Sequence, residues 1–473
     1  MTAAASSVTR RAGRGDGAKA ASALPAVRPP GPVQLPQVLD QRLDNGVRVL
    51  AVRRPGVPVV EMRLRVPALC GRMGAGAGAD MAGRALLAET ILTGTPDRDR
   101  QRIATDLQSI GGSLAASCDA DRLALTGSAL ADGLPELLGL LAEVLVSATY
   151  PDEEVEGERD RLEQEIVIAR SQPAVLAREA LLGRLHPAHP YGMELAPPGA
   201  VTAVSAAQMR AVHAARVSPD GALLTLVGDL DPPAALGVAG EVLTGWTGTA
   251  GEHVPEVPAY PGGPLVLVDR PGAVQTNIRL GGAALPRSDG RYPALQLANI
   301  VYGGYFSSRL VNNIREDKGY TYSPRSAIDH PIATSRFTVG ADVATEVTAP
   351  ALLEMCYELG RMSLLPVSVE ELDAARQYAV GTMALMSATS AGLASVLSVL
   401  VGSGLPVEYL REHPAALGRV SAEDVLAVGA QVLAPAKLAP VLLGDADRVR
   451  AGLEVLGPVQ AAAPARARGG RQE

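Results

Sequence analysis

Two stretches of this sequence, roughly 215 residues apart, repeat one order of predicted elements, and that duplication limits the architecture more than any other feature. The first stretch opens on Leu43-Asp44-Asn45-Gly46, a hairpin turn signal flanked by apolar alternation. Val57 to Val66 alternates as a half-buried strand. A glycine-rich loop follows, then helices from about Ala82 to Leu92 and from about Arg98 to Ser109, the second closed by Gly111-Gly112. Strands are predicted at 113–118 and 122–128, a helix at 134–147, and a charged helix after Pro151-Asp152-Glu153-Glu154. The second stretch runs in parallel. It has a strand at 274–281, a helix at 292–301, a Gly303-Gly304 turn and a helix through Leu310 to Glu316. Strands near 320–328 and 334–342 follow, then helices at 350–363 and from Ser368-Val369-Glu370-Glu371.

Such an offset is far too long for a solenoid, so it marks a duplicated domain. Strand following strand, with paired helices between, predicts an α+β fold: two homologous domains, each an antiparallel sheet with helices packed on one face. The domains are expected at 36–247 and 265–458, joined by a Pro/Gly-dense linker at 248–264. Residues 1–35 and 459–473 have no hydrophobic period and read as disordered tails.

Composition narrows the function classes. Of 473 residues, 47% are hydrophobic and 20% charged, which gives a sizeable packed core and excludes a mostly disordered or collagen-like chain. A net charge of −7 offers no footprint for a nucleic-acid backbone. Cys70, Cys118 and Cys356 lie far apart without a CxxC pair, so neither a disulfide framework nor a thiolate zinc site is expected. A cytoplasmic location follows from that reading. The Arg-rich start, with Asp16 as its single acid, also fits a transit peptide to the mitochondrial matrix. Ala379 to Val407 carries no charge, but serines, threonines and glycines dilute it, so it reads as a buried helix rather than a membrane span.

Several chemistries can be weighed from spacing. Of six histidines, only His186 and His189 are neighbours, and the prolines of His-Pro-Ala-His-Pro forbid a helical ligand pair. Gly74 to Ala79 lacks the phosphate-loop pattern, and Asp80 would repel phosphate, so a surface loop is expected there. No GxSxG is present. The run Gly304 to Tyr322 reads in two ways. It is either a helix with a solvated face capped by Gly319, or a placement of Arg315 at a helix end and Tyr322 at the start of a strand, both facing one pocket. A guanidinium beside a phenol suits a peptide carboxylate or a developing oxyanion.

That run, with Gln275 and Thr276 ahead of it, resembles the pitrilysin-like (insulinase, mitochondrial processing peptidase-type) zinc peptidases. Their C-terminal domain shows a GG-x-F-x-SRL stretch and an Arg-Glu-x-x-Gly-x-x-Tyr motif, which fall here on Gly303 to Leu310 and Arg315 to Tyr322. Leu43 to Gly46, Gly94-Thr95 and His189-Pro190-Tyr191-Gly192 match in the first half. The resemblance covers residues 38–455 and implies a two-domain half of a clamshell. It also locates the family's HxxEH zinc motif. Counted back from Gly94-Thr95, the five positions are Ala85-Leu86-Leu87-Ala88-Glu89, so both histidines and the base glutamate are missing. The family's third ligand position corresponds to Glu165, on the helix that also holds Glu158. The resemblance therefore implies a chain without zinc or peptidase activity of its own. Zinc would sit in a homologous HxxEH-bearing partner, and this chain would lend Arg315 and Tyr322 to a peptide substrate, with no nucleic-acid or membrane partner. Two other roles fit the same family: a structural core-type subunit, as in the respiratory bc1 complex, and a stand-alone peptide binder.

Overall fold

In the computed structural model, residues 36–67, 76–248, 254–260 and 262–462 are described. The expected tails at 1–35 and from 463 onward, and the start of the glycine-rich loop, lie outside them. Strands β1 (Val38–Arg42) and β2 (Arg48–Arg53) meet across the Asn45-Gly46 turn, where Gly46 adopts a φ of +98° that only glycine takes without strain. The first half continues with β3 (Val59–Pro67), α1 (Ala77–Thr90), α2 (Arg100–Ser109), β4 (Ser113–Cys118) and β5 (Arg122–Leu130). Helices α3 (Leu134–Ser147), α4 (Asp152–Ser171), α5 (Pro173–Leu185) and α6 (Ala206–Arg216) lead to β6 (Leu223–Gly228) and α7 (Pro232–Leu243).

The second half begins at β7 (Leu265–Asp269) and β8 (Gln275–Ala283), followed by α8 (Tyr292–Asn299), the short α9 (Arg309–Val311), β9 (Arg325–Asp329) and β10 (Arg336–Ala344). Then come α10 (Thr348–Leu364), α11 (Val369–Met386), α12 (Ser390–Val401), α13 (Tyr409–Arg419) and α14 (Ala422–Val428). The described chain closes with β11 (Ala439–Gly444), α15 (Ala446–Glu454) and β12 (Val459–Ala461). Ala77 to Ala79 open α1 instead of ending a surface loop. The uncharged run is divided: α11 and α12 meet at 111°, and no single helix among the described residues is long and apolar enough to cross a membrane.

Each half forms a six-stranded sheet, in the orders β1-β2-β6-β3-β5-β4 and β12-β7-β11-β8-β10-β9. The duplication and the α+β class hold, but the sheets are mixed rather than antiparallel. Strand β6 returns after a long helical excursion to lie parallel to β2, and β11 does the same beside β7. Parallel neighbours require such a crossover, and a plain hairpin count omits it. The outermost strand breaks the repeat: β1 comes from before the first sheet and β12 from after the second. Val459–Ala461, expected in the tail, therefore pairs parallel with β7 and belongs to the domain.

The helices also depart from the one-face expectation. Both central return strands are apolar on both faces, β6 being buried throughout, so each sheet needs cover on two sides. One face packs on its own half's helices around Leu86, Leu87 and Leu141, or around Leu295, Leu352 and Leu359. The second face is covered from the opposite half. Leu393, Leu397 and Leu400 of α12 pack on Leu50, Val52, Leu223 and Val227 of the first sheet. Leu181 and Leu185 of α5 pack on Ala439 and Val441 of the second. Gly281 permits the latter approach, since a Cβ there would lie 2.9 Å from the Leu185 side chain. The linker is tied to α5 as well, through Arg184 Nε donating to the Tyr260 hydroxyl at 2.9 Å.

This exchange predicts that the halves stay together without a covalent link. Brief proteolysis that cuts within 248–264 should leave both fragments co-eluting in native gel filtration, separable only by denaturant. Leu397→Ala, deleting a fully buried contact of α12, should cost about 2–5 kcal/mol in urea unfolding. Fragments that separate natively would show that the exchanged helices contribute little.

Candidate functional site

Helix α1 carries the degenerate motif on the side that meets α4. Ala88 is buried and Ala85 lies on the wall of a cavity between the halves. Neither methyl can ligate or take up a proton. Glu89 lies near the surface of the same helix, and α4 brings Glu158 and Glu165 opposite it, so the three carboxylates do converge. What joins them is a guanidinium. Arg161 is three residues after Glu158 and four before Glu165, which places all three on one face of α4. Its Nε donates to Glu158 at 2.7 Å, one terminal nitrogen reaches Glu165 at 2.5 Å, and the other hydrogen-bonds Glu89. Arg100 from α2 closes the network, donating to Glu158 at 2.5 Å and to Glu154 at 2.8 Å.

The electrostatics follow from that arrangement. Glu158 is only 5% exposed. Burial works against its charge, yet the hydrogen bonds from Arg100 and Arg161 outweigh it and hold the carboxyl below its ordinary value. Arg161 is raised in turn, chiefly by its bonds to Glu158 and then Glu89. This donor set does not fit a zinc ion. Imidazole is absent, two of the motif positions are methyls, and a cation fixed between the carboxylates repels a second one. Among the described residues, no group of three or more His, Cys, Asp or Glu side chains is placed to hold a metal. Glu89 is thus an ion-pair partner of Arg161. Arg161 was missed in the sequence, although its spacing to Glu158 and Glu165 on a charged helix was the available signal.

The Arg/Tyr pair lies elsewhere. Arg315 sits in a wide helical turn, Asn312–Asp317, of the kind that recurs at functional sites. Its guanidinium stacks over the Phe306 ring at 4.8 Å and reaches Glu316 at 3.2 Å. Tyr322 does not begin a strand. It stands in the loop ahead of β9, 92% exposed, and its hydroxyl makes no hydrogen bond among the described residues. Neither residue lines the cavity that Ala85 borders. A packed β9 edge begins only at Arg325, and Thr321 is anchored by its hydroxyl to the Asp342 carbonyl at 2.7 Å, leaving Tyr322 to project outward. Arg309, in the same motif run, has an architectural role: it pairs at 2.6 and 2.7 Å with Glu371, which also closes the capping box of α11.

His186 and His189 are buried against Tyr191. His189 Nδ1 accepts the Tyr191 N–H at 3.1 Å. Burial, then Arg336, pushes His186 down to about 4, so it is neutral at physiological pH. The Tyr191 hydroxyl bonds Asp121 and accepts from Ala333 N–H at 3.2 Å, while Ile332 N–H donates to Asp121 at 2.9 Å. The His-Pro-Tyr-Gly segment is therefore a latch between the halves rather than a ligand set.

Comparison with known proteins identifies relatives of the chain. Residues 77–199 match the family model described as insulinase (peptidase family M16), and residues 203–378 the one described as peptidase M16 inactive domain. An uncharacterized zinc protease of Mycobacterium leprae is 27% identical over 292 residues, covering 61% of this chain and 65% of that protein. One from Mycobacterium bovis is 29% identical over 260 residues, covering 53% and 59%. The matched stretch thus spans less than two thirds of these relatives. The peptidase M16 inactive domain structure from Pseudomonas fluorescens superposes with a TM-score of 0.78 at 23% identity, covering 86% of this chain and 98% of that one. A protease from Helicobacter pylori gives 0.79 at 17%, covering 86% and 100%. At those identities the two structures establish the shared fold.

The Arg161 network generates a pH-dependent prediction. Arg161→Met should lower stability at pH 7 by about 1–2 kcal/mol, the range of a charge-assisted pair discounted for half exposure. Glu158 is depressed in the folded state, so the stabilisation exists above the ordinary carboxylate range and fades as pH falls through the folded value. Urea unfolding of wild type and variant at pH 7 and pH 4 should show the gap closing on acidification. A gap of equal size at both would mean the carboxylates are not what Arg161 serves.

Proposed function

Because this chain belongs to the insulinase-type (M16) peptidase family, we propose that it is the zinc-free subunit of a two-chain peptidase, lending binding and oxyanion-stabilising groups to an HxxEH-bearing partner. The observation that carries the reading is a division within the chain. The motif on α1 is replaced by Ala85, Ala88 and an ion-paired Glu89, whereas Arg315 and Tyr322 remain with their functional atoms turned outward. A scaffold has no use for an exposed phenol or for a guanidinium stacked at the surface, so the structural-subunit alternative is the weaker one.

In this reading the partner supplies the metal and the general base. Arg315 binds a backbone carbonyl or terminal carboxylate of the peptide through charge-assisted hydrogen bonds. Tyr322 donates its O–H to the substrate carbonyl oxygen as that atom gains negative charge. Its exposure means that desolvation, and with it the strength of that bond, comes only when a partner closes over it.

Co-purification with a family member bearing HxxEH tests the proposal. The pair should hydrolyse a quenched peptide, and Tyr322→Phe should lower turnover by about 10²–10³-fold. Arg315→Ala should weaken substrate binding as well. Both variants should assemble normally. The chain alone should show no hydrolysis and retain far less than one zinc per molecule after gel filtration. Wild-type rates from both assembled variants would remove the assigned roles and favour a structural subunit.

A further inference from the structure

The cavity between the halves has a volume of about 730 Å³ and, among the described residues, a wall with more guanidiniums than carboxylates. Six guanidiniums and four carboxylates line it. Three of the six have committed partners: Arg84 with Asp80 at 3.1 Å, Arg336 with Asp329 at 3.3 Å, and Arg178 with Glu194. Among the described residues, Arg65 on β3 and Arg287 in the loop after β8 have no ion pair, and Arg122 at the start of β5 has only long ones.

Arg122 is the decisive residue. It is 6% exposed, and its Nε has no hydrogen-bond partner among the described residues. Asp119 and Asp121 approach it only at 3.9 Å. Both carboxylates have other partners as well: Asp119 Oδ1 accepts the backbone N–H groups of Asp121 and Arg122 at 2.7 and 2.9 Å, and Asp121 holds Tyr191 and Ile332. Arg65 has only a carbonyl, that of Ser398 at 3.2 Å, and burial followed by the neighbouring Arg122 pushes it down to about 10. Arg287 lies near the Tyr292 hydroxyl and partly offsets the upward push of burial on it. His330, also on the wall, is pushed down to about 4 by burial and then by Arg287. A buried guanidinium N–H without an acceptor is costly, and the natural remedy is an anion that supplies one.

We propose that this cavity binds a small polyanion, with Arg65 and Arg122 of the first half and Arg287 of the second gripping its phosphate or carboxylate oxygens. The volume suits a ligand of nucleotide or dipeptide size. Planar guanidinium forks match both oxygen geometries. Since the arginines come from opposite halves, the bound anion ties the halves together and stabilises the chain by mass action. The inference is independent of the subunit reading.

Calorimetric titration of the full chain with inorganic tripolyphosphate, and separately with the dipeptide Glu-Glu at matched ionic strength, tests it. One of the two should bind saturably at one per chain, and the tighter identifies the source of the oxygens. Arg287→Gln and Arg122→Gln should each weaken that binding by about tenfold or more, while Arg411→Gln, an exposed control, should leave it unchanged. If Arg122→Gln does not fold, Arg287→Gln, in a loop, decides alone. No saturable binding of either probe, unaltered affinity in Arg287→Gln, or an equal loss in Arg411→Gln would overturn the proposal.

Discussion

The reciprocal burial of each sheet's second face by a helix from the other half is the constraint on which the rest of this molecule depends. Strands β6 and β11 are apolar on both faces, and a two-layer domain would leave one of those faces in water. Exchange of α5 and α12 solves the problem at both sheets with the same pair of equivalent helices. It also fixes the seam. The cavity, the Asp121–Tyr191 latch and the contact of Arg65 with α12 all lie where the exchanged helices bring opposite halves together.

The position that would hold zinc in this family has become a salt-bridge network. Glu89, Glu158 and Glu165 still converge, and convergent carboxylates need a cation. A guanidinium meets that need with directed hydrogen bonds, but it neither polarises a carbonyl as a metal does nor activates water. The network keeps α1 and α4 in place while removing the chemistry. In the proposed complex the packing at this site is retained by Arg161 and the reaction is left to the partner.

Resemblance alone cannot distinguish the arginines of the 303–322 run. Arg309 and Arg315 belong to the same motif stretch, yet Arg309 is buried against Glu371 and Arg315 lies at the surface over Phe306. Packing assigns the first to architecture and leaves the second available for a ligand. Tyr322 shows the reverse difficulty. Its place in the motif was plain from the sequence, but its exposure follows from Thr321 being pinned to β10, which no local pattern encodes.

Local order and chemistry were legible in the sequence alone. Periodicity located most helices and hairpin strands, with 134–147 matching α3 at both ends, because 3.6- and 2-residue repeats are local consequences of which face is buried. The missing histidines on α1 were equally direct, since a ligand's identity is a matter of residue type. The return strands β6 and β11 were not legible, for an apolar run buried on both faces carries no alternation. Nor were the parallel pairings, the strand at 459–461, the exchange of α5 and α12, the role of Arg161 or the cationic wall. Each joins residues far apart in the chain, and whether a charge is paired or a face covered depends on what folding brings beside it. Sequence determined which groups this protein possesses; tertiary structure decided which of them neutralise one another and which remain free to bind.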